Sequence, residues 1–411
     1  MSKFFPSLQV LSVADFRNFI LGKFLLSFAI RTTHIILGWL IYEHTHNEWH
    51  LGMIGLSEAL PFICLTMFGG HVADVVSRRK IVVICASLYA VCSFLQLFFT
   101  HHFEEVYTQV GLWPFWLTIG LAGTIRAFYA PANGALVAQV VPREMFVYSA
   151  TFNALAYDIG SIAGPALAGL LYAYYGHDVA FGFLTAMVCT SVFFMFRISK
   201  IPKPPKTEHE NIFASLKQGL KFVFNTQQLI GAFALDMFAV LFGGAIAMLP
   251  AYADKILHCG PKGLGYLQSA MAIGAVLMSI VLASRPVKKN AGYKLFISVG
   301  LFGICIFIFA ISTNYWLSFA MLMLAGAFDE ISVIIRTTIV QMYSPDNMRG
   351  RIEAVSKIFI GSSNELGAFE SGAAARMFGL VNSVIAGATV TLVVVATCYR
   401  FMPKIRKMQF E

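Results

Sequence analysis

Arg31, Glu58, Arg126 and Asp158 in the first half of the chain, and Asp236, Asp329, Glu330, Glu365 and Glu370 in the second, all fall inside long apolar stretches. An ionisable group at the centre of a bilayer is costly unless it is paired or lines a cavity, so each of these positions calls for a partner or a task. Counting about 1.5 Å per residue from the ends of the stretches puts Arg126 and Asp158 each roughly 16 to 18 Å deep, which predicts an Arg126/Asp158 ion pair. Glu58, just before Pro61, is shallower, and Arg31 shares its stretch with the polar cluster Thr32, Thr33 and His34. Desolvation and a nearby cation push a carboxyl pKa in opposite directions, so a group held between them can exchange a proton near neutrality. Glu58, Arg126, Asp158, Asp236, Asp329, Glu365 and Glu370 are therefore proton-coupling candidates, and Arg31 and Asn364 are candidates for lining a substrate cavity. Static pairs that only hold helices together, Arg336 with an acidic neighbour among them, account for the same residues equally well.

Other chemistry is not offered. No nucleophile set or phosphate loop is present, so neither an enzyme activity nor a cofactor is expected. The 7 cysteines are scattered with no C-x-x-C spacing, which argues against disulfides and thiolate metal sites. Histidines at 44, 46 and 50, with His101, His102, Glu104 and Glu105, have metal-ligand chemistry, but incidental loop histidines are commoner and no metal is assigned.

The elements that carry these residues are membrane helices. Apolar residues make up 58% of the chain and charged ones 12%, and the mean hydropathy is +0.71, values rare in soluble domains. Polar breaks divide the chain into stretches at 17–42, 51–73, 80–100, 113–141, 147–175 and 178–197, then 227–253, 263–284, 293–312, 315–343, 352–378 and 381–402. Each reaches the roughly 20 residues that a spanning helix needs. The expected fold is thus all-α, with twelve transmembrane helices in two pseudo-symmetric six-helix bundles, 1–197 and 227–403. A proline-rich cytoplasmic linker with an amphipathic helix (198–226) joins them, and a short tail (404–411) follows. The apolar face of that helix, with Ile212, Phe213, Leu216, Leu220 and Val223, suits the inner leaflet or the underside of the bundle.

Lys and Arg alternate between loops. They crowd the breaks at Arg78, Arg79 and Lys80, at Arg143, at Arg285, Lys288 and Lys289, and at Arg349 and Arg351, while the loops at 43–50, 101–112, 176–178 and 313–314 have none. Lys255 and Lys262 alone break the pattern. Cytoplasmic loops hold the excess of positive charge, so both termini are expected in the cytoplasm of a plasma (inner) membrane protein, with the lipid bilayer as its surroundings. The net charge of +9 needs no nucleic acid to explain it. The start of the chain lacks the pattern of a cleaved signal peptide.

The two halves share a repeat. Residues 121–176 lie over 324–379 without a gap, and five of nine coincident positions are Gly or Pro: Gly123/Gly326, Pro142/Pro345, Gly164/Gly367, Gly169/Gly372 and Gly176/Gly379. Those residue types fix close helix approach and turns. Doubled helical halves in a membrane are an architecture of transporters that rock about a central site.

Several runs carry a family resemblance. Gly70-His71-Val72-Ala73-Asp74 followed by Arg78, Arg79 and Lys80 resembles the loop between helices two and three of the major facilitator superfamily, with Val75 and Ser77 replacing its usual Arg and Gly. The resemblance implies a cytoplasmic gate at Gly70, Asp74, Arg78 and Arg79, with Arg349 and Arg351 in the second half. Gly160, Gly164, Pro165 and Gly169 resemble the glycine motif of exporters and antiporters, although such spacings also serve ordinary packing. Met348-Arg349-Gly350-Arg351 and Ser363-Asn364-Glu365-Leu366-Gly367-Ala368-Phe369-Glu370-Ser371-Gly372, with Arg126-Ala127-Phe128 and Pro131-Ala132, resemble the subgroup that contains the enterobactin (siderophore) exporter. Ala368 departs from it by replacing a carboxylate. The resemblance implies a monomeric bacterial secondary transporter that exports a small amphipathic molecule in exchange for protons. Import or lipid flipping by the same fold, and a non-transporting membrane receptor, are the alternatives.

Overall fold

The computed structural model describes residues 10–142, 145–199, 212–243, 245–285, 287, 289–345 and 348–409. Among these the regular elements are all helical: α1 (Ala14–Thr45), α2 (Glu48–Val75), α3 (Arg78–His101), α4 (Phe103–Val110), α5 (Trp113–Val140), α6 (Phe146–Phe196), α7 (Ile212–Asn225), α8 (Gln227–Phe242), α9 (Leu249–Lys255), α10 (Gly260–Ser284), α11 (Ala291–Ile311), α12 (Tyr315–Tyr343), α13 (Arg349–Phe378), α14 (Leu380–Phe401) and α15 (Pro403–Arg406). Eight of the described helices are long and apolar enough, by length and composition, to cross a membrane. The all-α membrane class is therefore correct. Twelve crossings are consistent with the helices, taking α6 as two segments and α9 as the continuation of α8.

Three boundaries differ from the hydropathy reading. The fifth and sixth stretches form one run, α6, broken only at Gly176 (φ 76°, ψ 176°), a left-handed backbone that favours glycine. The seventh stretch is not a continuous helix. It stops at Gly243, whose added Cβ would strike the Ala239 carbonyl, and resumes at Leu249, where Pro250 suits a first helical turn. The loop at 101–112 holds the short helix α4, which apolar run length alone does not reveal.

The chain separates into two compact units. One comprises the described residues within Met1–Leu40 and Ser57–Glu208, the other those within Ile41–Leu56 and His209–Glu411. In the first, Phe16, Phe19, Phe115 and Phe181 are fully or almost fully buried. Hydrogen bonds between helices fix its register: Ser191 Oγ donates to the Gly22 carbonyl at 2.6 Å, and Ser93 and Thr185 share a bond of 2.9 Å. The second unit is built on Leu229, Phe233, Leu295, Ile335, Ile339 and Ile352. Val223 of α7 is fully buried in this core, with Leu220 packed against it.

The repeat has a geometric meaning in each unit. Gly123 lets α5 lie against the Glu58 carbonyl of α2, and Gly326, its repeat partner, lets α12 lie against the Met271 carbonyl of α10. Gly176 and Gly379 both take positive φ, 76° and 84°, and both separate two successive helices. The repeated glycines thus set the α2–α5 and α10–α12 contacts, and these contacts place the charged groups.

Candidate functional site

The close contact of α2 with α5 aligns three ionisable side chains in the first unit. Arg126 Nη1 donates to Glu58 Oε1 at 2.7 Å, and His34 Nδ1 of α1 lies 3.5 Å from Glu58 Oε2. The Glu58 side chain is 7% exposed and that of Arg126 35% exposed, so the carboxylate is the buried member. Phe62, one turn beyond Glu58, puts its ring 4.6 Å from the Arg126 guanidinium carbon, a stabilising contact between cation and ring face. Beside His34 is a cavity of about 30 Å³, lined by the polar Thr33, Tyr89, Ser93 and Gln96 and by the apolar Ile30, Ala122 and Val188. This volume accommodates a water molecule.

The Arg126/Asp158 pair expected from depth is not formed. Arg126 takes Glu58, and Asp158 is half-buried with no ionic partner among the described residues. α2 begins at Glu48, before the apolar stretch does, which carries Glu58 deeper than hydropathy indicates. Depth also says nothing about which face of a helix a residue occupies. Arg31 is exposed, its guanidinium carbon 4.5 Å from the Tyr157 ring centre.

In the second unit Arg336 of α12 pairs with Asp236 of α8, with 10% and 8% of their side chains exposed. Asp329, two turns earlier on α12, has Oδ1 3.9 Å from Arg336 Nη2. Glu330 accepts from Ser279 Oγ of α10 at 2.6 Å. Glu330 lies one residue from the repeat equivalent of Arg126, so the same pair of equivalent helices carries a polar bridge in each unit. On α13, Glu365 and Glu370 are half-buried, and exposed Asn364 donates to the Ile360 carbonyl at 2.9 Å.

The loop residues are held by backbone. Arg79 donates from Nε to the Ile198 carbonyl at 2.6 Å and from Nη2 to the Phe196 carbonyl at 2.7 Å, where the end of α6 presents unpaired carbonyls. Arg78 Nη1 donates to the Ala135 carbonyl at 3.3 Å. Asp74 is exposed without an ionic partner among the described residues, and Gly70 has open space where a Cβ would stand. Arg351 Nη1 donates to Gln218 Oε1 at 2.5 Å, tying α13 to α7. The side chain of Arg349 lies outside the described residues, as do linker residues 200–211 and the last two of the tail. In the glycine motif, a Cβ on Gly164 would come within 3.2 Å of Thr32 Oγ1, while Gly160 has nothing within 4 Å; Pro165 and Gly169 are buried.

At the opposite ends of these helices, the second unit includes the hairpin 41–56. There Lys255 Nζ donates to Glu48 Oε1 at 2.7 Å, 5.5 Å from the Tyr42 ring centre. Burial alone would lower the Lys255 pKa, but hydrogen bonds to Glu48 and Tyr42 outweigh it and hold the ammonium above its ordinary 10.5. His46 faces Asp254 at 3.5 Å. Gly55 faces Ala368 so closely that a Cβ on Gly55 would stand 2.7 Å from that of Ala368; the missing carboxylate would fall at a helix contact. Among the described residues no three His, Cys, Asp or Glu side chains are placed to hold a metal ion.

A helical membrane protein with buried ion clusters of this kind has the build of a major facilitator transporter, and solved transporters share the fold. The nucleoside transporter NupG superposes with a TM-score of 0.70 at 15% identity, covering 94% of this chain and 98% of that one. A bacterial homologue of the human lysosomal transporter Spinster, inward-facing and unoccupied, gives 0.72 at 12% identity over 95% and 98% of the two chains. The chain belongs to the transmembrane secretion effector family of this superfamily, whose sequence profile matches residues 7–410. An enterobactin exporter (EntS) of Salmonella choleraesuis (strain SC-B67) is 25% identical over 348 residues, 83% of this chain and 80% of the relative. One from Escherichia coli O1:K1 / APEC is 24% identical over 400 residues, 92% of each. The protein is a membrane transporter.

Proposed function

We propose that this transporter exports a small amphipathic molecule, of the siderophore class that its enterobactin-exporting relatives suggest, in exchange for protons by alternating access. The proposal includes a monomer in a bacterial inner membrane with both termini cytoplasmic. The observation that carries it is the His34–Glu58–Arg126 cluster. A buried carboxylate between an imidazole and a guanidinium has two states: ionised, it holds Arg126; protonated, it frees the guanidinium for an anionic group on the substrate. His34, which lines the small cavity on one side and meets Glu58 on the other, passes the proton in this proposal. On the second unit, Asp236 and Asp329 offer Arg336 two carboxylates, and Asp158, Glu365 and Glu370 remain further coupling candidates. Asp74, Arg78, Arg79, Arg349 and Arg351 form the gate in this proposal, with Arg79 releasing the carbonyls at the end of α6 and Arg78 that of Ala135 when it opens.

The test is uptake into proteoliposomes with an acidic lumen, using a catecholate siderophore and a lipophilic dye as probes. The expected outcome is accumulation of a probe against its gradient that collapses with a protonophore, and Glu58→Gln should transport without responding to the pH gradient. Uptake by the wild type that only equilibrates, whatever the gradient, would sink the exchange mechanism.

A further inference from the structure

Lys255 and Lys262 are the two cations that interrupt the alternation of loop charge. Lys262 stands exposed in the first turn of α10, at the rim of a cleft of about 520 Å³ in the second unit. That volume lies in the range of about 300–1,000 Å³ typical of small-molecule sites. Its walls are Tyr266 of α10 and Tyr315, Trp316 and Phe319 of α12.

The walls are held in place. Asn314 caps α12 by accepting from the Trp316 and Leu317 backbone N–H groups at 2.9 and 3.1 Å, which fixes Trp316 in the first turn. Tyr315 Oη donates to the Gly263 carbonyl at 3.3 Å and joins α12 to α10. Trp316 packs edge-on against Tyr315 at 5.4 Å and against Phe319 at 6.3 Å, yet is 74% exposed. Both helices begin here, at the level where spans of this length meet the water boundary, the depth that Trp and Tyr favour. The cation and the positive end of α10 complement an anion, and the aromatic walls complement a hydrocarbon chain.

We propose that this cleft binds an anionic phospholipid of the adjoining leaflet, its phosphate against Lys262 and the start of α10 and one acyl chain along Tyr266, Trp316 and Phe319. A free anion has no use for the aromatic walls, and a neutral lipid has no use for the lysine. A basic residue at a membrane surface contributes about 1 kcal/mol toward an anionic lipid, close to a five-fold change in affinity.

Native mass spectrometry of the purified full chain, titrated with equal amounts of phosphatidylglycerol or phosphatidylcholine, tests this. The wild type should retain phosphatidylglycerol preferentially, Lys262→Gln should lose about five-fold of that retention, and Trp316→Ala with Phe319→Ala should lose retention of both lipids. Thermal melting in detergent identifies any variant that fails to fold, and Lys262→Arg, which keeps the charge, should keep the preference. Equal retention of the two lipids by the wild type, unchanged phosphatidylglycerol retention in Lys262→Gln, or displacement of the lipid by millimolar inorganic phosphate would overturn the proposal.

Discussion

Arg336 and Asp236 form the least exposed ion pair among the described residues, with 10% and 8% of their side chains accessible. Two charges withdrawn this far are expensive to separate: removing one partner of a buried pair costs about 3–5 kcal/mol, because the other stays uncompensated. Arg336→Met should therefore lower the melting temperature sharply in detergent, and adding Asp236→Asn should recover most of the loss. If the double variant is no more stable than the single one, the pair is not what holds α8 to α12. The Glu58–Arg126 pair should respond more mildly, since solvent reaches 35% of the Arg126 side chain. Sequence depth singled out Glu58, Arg126, Asp236 and Asp329 as residues needing partners, but the partner it named for Arg126, Asp158, is not the one it has. Hydropathy gives position along a helix and not direction around it. Arg126 could be placed at the level of Asp158, whereas the glycine contact that turns it toward Glu58 is a property of two helices together.

At the scale of the elements, Gly123 and Gly326 allow the backbones to touch, and a Cβ at either would strike a main-chain carbonyl of the neighbouring helix. Overpacking of this kind typically costs about 1–3 kcal/mol. Gly123→Ala and Gly326→Ala should each lower the thermal midpoint measurably, and Gly160→Ala, with open space at its Cβ, should leave it within error. Equal effects at all three positions would mean that these contacts are not what the glycines serve. The repeat made these two glycines legible in the sequence, as it did the helix breaks at Gly176 and Gly379. The break in the seventh stretch was not legible in a count of apolar residues, because Gly243 and Pro250 sit among strongly apolar neighbours, so the run stays apolar while one helix ends at Gly243 and the next begins around Pro250. Helix α4 was hidden because eight residues beginning with Phe103, Glu104 and Glu105 read as loop.

The Lys255–Glu48 bridge is also a property of elements, since it ties α9 to the start of α2 inside the second unit. Lys255 is 41% exposed, so the bridge behaves as a surface pair with up to about 1 kcal/mol at stake. Its ammonium pKa is raised above 10.5, so its contribution is complete below that pH and fades as the pH climbs through the higher folded value. The melting difference between wild type and Lys255→Met should stay constant from neutrality to about pH 10 and shrink above pH 10.5. A difference that grows with alkalinity would show that something other than this ammonium is being measured.

For the whole molecule, charge predicts the orientation. Arg78, Arg79 and Lys80 open α3, Arg285 and Lys289 precede α11, and Arg351 lies in the first turn of α13, so equivalent helices of the two halves start with basic residues. During insertion such loops stay on the cytoplasmic side, and the bias is set by counting Lys and Arg in short loops. Lys255 and Lys262 are too few against that bias to reverse it. Alkaline phosphatase, active only when exported, should therefore work when fused after Asn47, after Tyr107 or after Thr313, and fail after Arg79, after Lys289 or at the C-terminus. Neutralising Arg78, Arg79 and Lys80 together should make the Arg79 fusion partly active, because the second and third helices then lose their strongest orienting signal. An inverted pattern in the wild type would place the basic loops outside. The proton-driven direction proposed for the transporter would then have to be reversed, while the packing at Gly123 and Gly326 would stand unchanged.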